Sequence, residues 1–316
     1  MTIENAAFEG YRRSPNARTN LLRLFVGTMI VVAFWMAATA LVLFAGTYAY
    51  IVWRLPGPST GRYMQDFLAS PVGILSALTS FAGIWIGLWV VMRFVHGEPL
   101  SALFGVTRRI ARGDFLKGLI AVLITSLFSE VLLYWLQPEI ARGPIALSSW
   151  LLFLVPIVLL AFLQTSSEEM LFRGYLLRGL ACRFRSPLIW AVLPGLLFTS
   201  LHWNTASTLA INASVFISIG IFALLLTLLV HVTGNLGAGF GAHLGNNLTG
   251  FLLISHQEGY NGFALLNAKP LEGPGWTGWD AVLIAAIGIV STLLTMLLLL
   301  HRRSPLRVGA SSQGAL

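Results

Sequence analysis

The sequence has little charge and almost no cysteine. Charged residues make up only 10% of the 316 positions, whereas soluble domains carry about 25%. Apolar residues make up 56%, and they recur in runs of about 18 residues or more, long enough to cross a bilayer as a helix. The short alternating segments of a spanning β-barrel are absent from the sequence. The single cysteine, Cys182, excludes an internal disulfide framework. These features predict an all-α, polytopic helical membrane bundle.

The positive charge lies mainly in the segments that connect the apolar runs. The net charge is +8, and most Lys and Arg residues fall before the first run and in alternate connections after it. Since basic residues concentrate on the cytoplasmic side of membrane proteins, this bias places both termini in the cytoplasm. It also explains the basic composition better than nucleic-acid binding does. We therefore expect the lipid bilayer as a partner, and no nucleic acid.

The apolar runs predict eight transmembrane helices in one domain. Their expected bounds are 24–52, 73–95, 115–136, 148–183, 188–203, 209–232, 235–256 and 280–301. The domain covers 24–301, with a cytoplasmic N-terminal segment at 1–23 and a cytoplasmic tail at 302–316. The fourth helix is longer than a bilayer needs, so we expect it to tilt or to project beyond the membrane.

Apart from Arg178 and Arg183, which we assign to its cytoplasmic end, the fourth predicted span contains three charged residues. Each charge at the bilayer centre costs roughly 2.5 to 3.5 kcal/mol on insertion scales, so such residues tend to be paired or functional. Glu169 and Arg173 are four residues apart and share one helix face, which predicts an ion pair. Glu168 lies about 100° around the helix. In a purely structural role, both glutamates would only neutralise the charge of Arg173. One carboxylate is enough to do so, and Glu168 is therefore left available for catalysis.

Two histidines and an amide follow in later spans. His202 is the second-to-last residue of the fifth span. It is a candidate site residue, and the alternative is an interfacial histidine with no further role. His243 and Asn247 are four residues apart on the seventh span, opposite a ridge formed by Gly237, Gly241 and Gly245. A structural hydrogen-bonded pair is the alternative there. Counted from the predicted cytoplasmic ends, His202 lies at a depth similar to that of Glu168, whereas His243 lies shallower.

A carboxylate, two histidines and an amide suit the attack of water on a carbonyl group. A carboxylate takes a proton from water, histidines orient that water or hold a metal, and an amide N–H donates to a developing oxyanion. This set needs no covalent intermediate. The residues therefore favour peptide hydrolysis inside a membrane.

The order of these residues resembles a known family. The three motifs are Glu168-Glu169-xxx-Arg173, Phe198-xxx-His202 and His243-xxx-Asn247. They resemble the motifs of the CAAX prenyl protease type II family, the bacterial CPBP or Abi group of glutamate-dependent intramembrane proteases, with the protease core at about 148–256.

The resemblance implies a role for each motif residue. Glu168 would activate the water, His202 and His243 would flank it, Asn247 would help to bind the oxyanion, and Glu169 with Arg173 would support the site. It also implies a peptide or membrane-protein substrate, with a C-terminal CAAX-like tail as one option. The implied location is integral to a membrane, which is the cell (inner) membrane if the chain is bacterial.

The cofactor and two other functions stay open at this point. Zinc is an option, with His202 and His243 as ligands if it is bound, but a catalytic zinc usually has three protein ligands and the sequence has no HExxH helix. A proton-coupled transporter would use Glu168, Glu169 and His202 as a relay, although no internal repeat supports it. A non-catalytic membrane scaffold or immunity protein would retain its function without Glu168.

Overall fold

The computed structural model describes residues 3–53, 63–137, 139–257, 259 and 261–309, and gives no side-chain placement for residues 3–5 and 65. These residues form a predominantly helical bundle, which confirms the predicted fold class. The short helix α1, Ile3–Arg12, precedes the first long helix, α2, Leu21–Trp53. Three short helices follow in close succession: α3, Tyr63–Ala69; α4, Pro71–Ser80; and α5, Ala82–Val90.

Seven further helices follow in the described part of the chain after residue 111. They are α6, Arg112–Leu136; α7, Leu147–Glu169; α8, Leu177–Ala181; α9, Leu193–Ser200; α10, Leu209–Thr233; α11, Gly237–Leu248; and α12, Gly278–Leu300. Segments of π-helix extend several of them, at Val91–His96, Met170–Leu176, Leu188–Val192 and Thr249–Leu253.

Six continuous helical segments are long and apolar enough to cross a membrane. They are Leu21–Trp53, Pro71–His96, Arg112–Leu136, Leu147–Ala181, Leu209–Thr233 and Gly278–Leu300. The other two predicted spans are shorter than expected. Within 188–203 the apolar helix covers Leu188–Ser200, and at 1.5 Å per residue it is too short for a bilayer core of about 30 Å. Within 235–256 the α-helix covers Gly237–Leu248, and a π-helical segment continues it to Leu253.

Glycines let the backbone of α11 pack directly against the backbone of α6. A Cβ atom at Gly241 would overlap the backbone oxygen of Phe115, and one at Gly237 would lie 2.6 Å from the backbone oxygen of Ala111. On the facing helix, a Cβ at Gly118 would overlap the backbone oxygen of Ala238. The predicted glycine ridge is therefore a packing surface, and residues 237–245 of α11 are all buried.

A small sheet joins three loops at one end of the bundle. Strands β1, Ala141–Arg142, and β2, Ile254–Ser255, both pair with β3, Leu266–Asn267. The β1 pairing is antiparallel and the β2 pairing is parallel. The sheet connects the loop before α7 with the chain that follows α11.

The N-terminal helix packs against the bundle. The side chain of Tyr11 is fully buried, and its hydroxyl donates to the backbone oxygens of Leu103, at 2.9 Å, and Arg173, at 3.2 Å. The ring of Phe8 lies 4.8 Å from that of Trp190. The predicted N-terminal segment is thus part of the packed structure and touches the helix that carries the glutamates.

The close contact between α6 and α11 predicts a steep cost for a side chain at Gly241. We expect Gly241→Ala to lower the free energy of unfolding by about 1–3 kcal/mol or more, because the added methyl group would force the two backbones apart. The measurement is unfolding in detergent, followed by circular dichroism. Gly195→Ala is the matched control, since a Cβ there would meet its nearest neighbour, Leu224, only at 4.0 Å. Equal unfolding free energies of the two variants would contradict the proposed packing.

Candidate active site

Glu169 is the centre of a buried charge cluster at the end of α7. Its Oε1 atom accepts a hydrogen bond from Arg173 Nη1 at 2.8 Å and lies 2.9 Å from His243 Nδ1. The side chains of Glu169 and Arg173 are 0% and 1% exposed. The structure therefore contains the ion pair that the four-residue spacing predicts, and it adds His243 as a second partner of the same carboxylate.

Arg173 is held by further contacts from two other helices. Its Nη2 atom donates to the backbone oxygen of Ala223 on α10 at 3.1 Å. Its guanidinium carbon lies 4.6 Å from the centre of the Phe198 ring on α9, within the range of a cation–π interaction. A buried charge is costly unless it is paired and hydrogen-bonded. Arg173 meets this requirement with Glu169, a backbone carbonyl and an aromatic face.

Glu168 has a different environment from its neighbour. Its side chain is 13% exposed, and its Oε2 atom lies 3.5 Å from His243 Nε2. This distance is long for a direct hydrogen bond. The carboxylate and the imidazole therefore face each other without forming one. The two glutamates therefore lie on opposite nitrogens of the same imidazole ring, Glu169 at Nδ1 and Glu168 at Nε2.

The approach of Glu169 to α11 depends on a glycine outside the ridge. A Cβ atom at Gly239 would lie 3.3 Å from Glu169 Oε2, which is a tight contact. The same oxygen is buried and has no hydrogen-bond partner among the described residues. Sequence reasoning did not identify Gly239, because its role depends on a helix that is distant in the chain.

His202 lies near this cluster but forms no hydrogen bond with it. Its Nδ1 atom pairs with the backbone oxygen of Phe198 at 3.1 Å, and its side chain is exposed. The Phe198 ring lies between the two histidines, with its centre 4.9 Å from the ring of His202 and 5.7 Å from that of His243. The depth count supported His202 and left His243 unsettled. The structure brings His243, and not His202, into contact with the two glutamates.

Asn247 extends the site by one turn of α11. Its Nδ2 atom lies 3.4 Å from Oε1 of Gln164 on α7, which is a weak contact. Gln164 also hydrogen-bonds Glu168, one helical turn further along. A polar chain therefore leads from Asn247 through Gln164 to Glu168. Gln164 was not singled out in the sequence, although its position four residues before Glu168 is a signal that could have identified it.

The donor set does not fit the zinc option. Among the residues that the structure describes, no group of three or more His, Cys, Asp or Glu side chains is arranged to hold a metal ion. His202 and His243 are separated by the Phe198 ring, and His243 already uses Nδ1 on Glu169. A metalloprotease is therefore not supported.

A second carboxylate–histidine pair lies outside this cluster. Glu130 Oε2 on α6 lies 2.8 Å from His256 Nε2 beside the small sheet, and both line a mostly apolar cavity of about 120 Å³. Glu130 does not contact the Glu168–His243 pair.

Comparison with known proteins covers all of the candidate site residues. Residues 146–249 match the family model described as type II CAAX prenyl endopeptidase Rce1-like. An uncharacterised protein of Bacillus subtilis (strain 168), YyaK, is 23% identical over 291 residues, which cover 88% of this chain and 92% of the relative. No solved structure matches the chain. The matched part of the chain is therefore similar to the Rce1-like, type II CAAX prenyl endopeptidases, and it holds the two glutamates, Arg173, both histidines and Asn247.

Proposed function

We propose that the protein is a glutamate-dependent intramembrane endopeptidase of the CAAX-protease type, with Glu168 as the general base. This proposal rests on one observation, which is that the two glutamates have different environments. Glu169 is fully buried and bonded to Arg173 and His243, whereas Glu168 is partly exposed and faces the second nitrogen of His243 across 3.5 Å. A general base must be reachable by its substrate, and only Glu168 meets that condition.

The proposed reaction is direct attack of water on a peptide carbonyl. A water molecule bound beside Glu168 and His243 Nε2 loses a proton to the Glu168 carboxylate as its oxygen bonds to the carbonyl carbon. The carbonyl π-electrons move onto oxygen and form an oxyanion. When the C–N bond breaks, the electron pair stays on nitrogen, and the proton on Glu168 passes to that leaving amine. Glu168 returns to its starting state without a covalent intermediate.

Glu169 orients His243 in this proposal. A carboxylate at Nδ1 fixes the ring and favours a proton on that nitrogen. The 2.9 Å contact between His243 Nδ1 and Glu169 therefore directs Nε2 towards Glu168 and the water. Arg173 pairs with Glu169 and offsets its negative charge.

Asn247 and His202 contribute to oxyanion and substrate binding. The Asn247 amide is a neutral donor near Glu168, and its contact with Gln164 is weak enough to exchange for a substrate oxygen. His202 is exposed and uses Nδ1 on its own helix, so Nε2 is the nitrogen that faces a substrate. The substrate is a peptide or membrane protein that enters from the bilayer, and a C-terminal CAAX-like tail fits the family.

Removal of the proposed base is the first test. We expect Glu168→Gln to lower kcat by about 10²- to 10⁴-fold, the usual contribution of a general base, while the protein stays folded. The assay is cleavage of a fluorogenic peptide panel by purified protein in detergent. Glu130→Gln is the matched control, since Glu130 is also half-buried and paired with a histidine. A Glu168→Gln enzyme that cleaves at the wild-type rate would refute the proposal, and so would a wild-type protein that cleaves none of the peptides.

Asn247 offers a separate test of oxyanion binding. We expect Asn247→Ala to reduce kcat by about 10²- to 10³-fold with a smaller change in KM, because a lost oxyanion donor weakens the transition state more than the bound substrate. The neighbouring Asn246 is exposed, so Asn246→Ala should leave both parameters unchanged. A rise in KM alone for Asn247→Ala would indicate a substrate-binding role instead.

Metal removal tests the interpretation of the donor set. Since the described residues offer no three-ligand group, we expect peptide cleavage to survive prolonged treatment with EDTA and with 1,10-phenanthroline, within about twofold of the untreated rate. Metal content measured on the same samples provides the control. Loss of activity that added zinc restores would contradict this expectation.

A further inference from the structure

A polar cavity lies beside α1, outside the candidate site. It has a volume of about 570 Å³ and is formed by the segment after α1 and by the turn that follows α8. Four arginines and one glutamate are its charged lining residues: Arg12, Arg13, Arg183, Arg185 and Glu9. The cavity is therefore strongly positive, and its volume is in the range of small-molecule sites.

The cavity walls are fixed to one another by backbone contacts. Arg12 Nε donates to the backbone oxygen of Ala181 at 3.0 Å, and Arg183 Nη2 donates to the backbone oxygen of Thr19 at 2.8 Å. These two bonds run in opposite directions between the N-terminal segment and the turn after α8. The two walls of the cavity are thus held in a fixed relation to one another.

The arginines retain donors that the protein itself does not use. Glu9 accepts from Arg12 at 2.9 Å and from Arg13 at 3.0 Å, so one carboxylate serves two guanidinium groups. The side chain of Arg185 has no hydrogen-bond or ion-pair partner within the described part of the chain, and it is exposed. A guanidinium fork suits phosphate oxygens because it binds them through two parallel hydrogen bonds.

The position of the cavity indicates where its ligand comes from. Its residues lie just before α2, which begins at Leu21, and just after the membrane segment that ends at Ala181. The first turns of α2 expose apolar side chains, with Leu22 71% and Phe25 62% exposed, as a lipid-facing surface would. Charge patterning predicts that this side is cytoplasmic. Basic pockets at such a boundary suit the head groups of anionic lipids.

We propose that this cavity is a binding site for a phosphate-bearing anion, with the phosphodiester head group of an anionic membrane lipid as its source. The bound phosphate would accept hydrogen bonds from Arg13 and Arg185 and bridge the two walls. Through Arg12 and Tyr11, it would hold α1 against the helix that carries Glu168. This inference depends on the membrane location and not on proteolysis.

The test counts lipids that remain bound to the full-length protein. Short-chain phosphatidylglycerol, short-chain phosphatidylcholine or inorganic phosphate is titrated into protein in a neutral detergent, and bound molecules are counted by native mass spectrometry. The variants are Arg13→Gln/Arg185→Gln and, as a control with the same change in net charge, Arg302→Gln/Arg303→Gln. Both pairs are exposed, and thermal unfolding in detergent verifies that each variant is folded.

We expect one phosphatidylglycerol to bind wild type and the control alike. Arg13→Gln/Arg185→Gln should bind it about thirtyfold more weakly, since each basic residue at a lipid head group contributes about fivefold. Phosphatidylcholine should bind at least about tenfold more weakly than phosphatidylglycerol. If inorganic phosphate displaces the lipid, free phosphate is a second ligand of this site. If inorganic phosphate does not displace it, the lipid head group is the ligand. Equal losses in the two variants, or equal binding of both lipids, would overturn the proposal.

Discussion

The buried contact of Glu169 with both Arg173 and His243 is the interaction on which the rest of the site depends. Arg173 is too costly to bury without a carboxylate, and His243 would have no fixed orientation without the same oxygen. Since Arg173 also bonds the backbone of Ala223 and stacks on Phe198, one ion pair connects α7, α9, α10 and α11. The chemistry of Glu168 is proposed to follow from this arrangement, because Glu169 has taken the structural role.

Backbone geometry makes that contact sterically feasible. The chain passes from α-helix to π-helix directly after Glu169, in the segment Met170–Leu176, and such insertions in helices are frequent at functional sites. Tyr11 donates to the backbone oxygen of Arg173 within this segment, so the N-terminal helix supports the same turn. On the other side, Gly239 leaves room for the Glu169 carboxylate, and the ridge of Gly237 and Gly241 seats α11 on α6.

The sequence predicted the local features of this structure well. The Glu169–Arg173 pair and the two faces of α11 follow from helical periodicity, which relates residues a few positions apart. The bundle class and six of the spans follow from long apolar runs. These features are local, so one stretch of sequence contains the information that determines them.

Contacts between distant segments were much less predictable. The approach of His243 to Glu169, the position of the Phe198 ring between the histidines and the docking of Tyr11 beneath Arg173 each join helices that are far apart in the chain. The predicted span at 235–256 is longer than α11. A glycine-rich helix can be apolar enough to resemble a membrane span and still pack inside a bundle. Gln164 was overlooked because a single glutamine in an apolar helix has no distinctive pattern.

The unfolding free energies of Glu168→Gln and Glu169→Gln, measured side by side in detergent, test the central claim most directly. Removal of one partner from a buried ion pair costs about 3–5 kcal/mol, because the other charge stays buried without compensation. Glu169→Gln should therefore lose about that much, whereas Glu168→Gln, whose carboxylate is partly exposed and lies 3.5 Å from His243, should lose less than about 1 kcal/mol. Equal losses for the two variants, or a larger loss for Glu168→Gln, would contradict the separation of a structural glutamate from a chemical one.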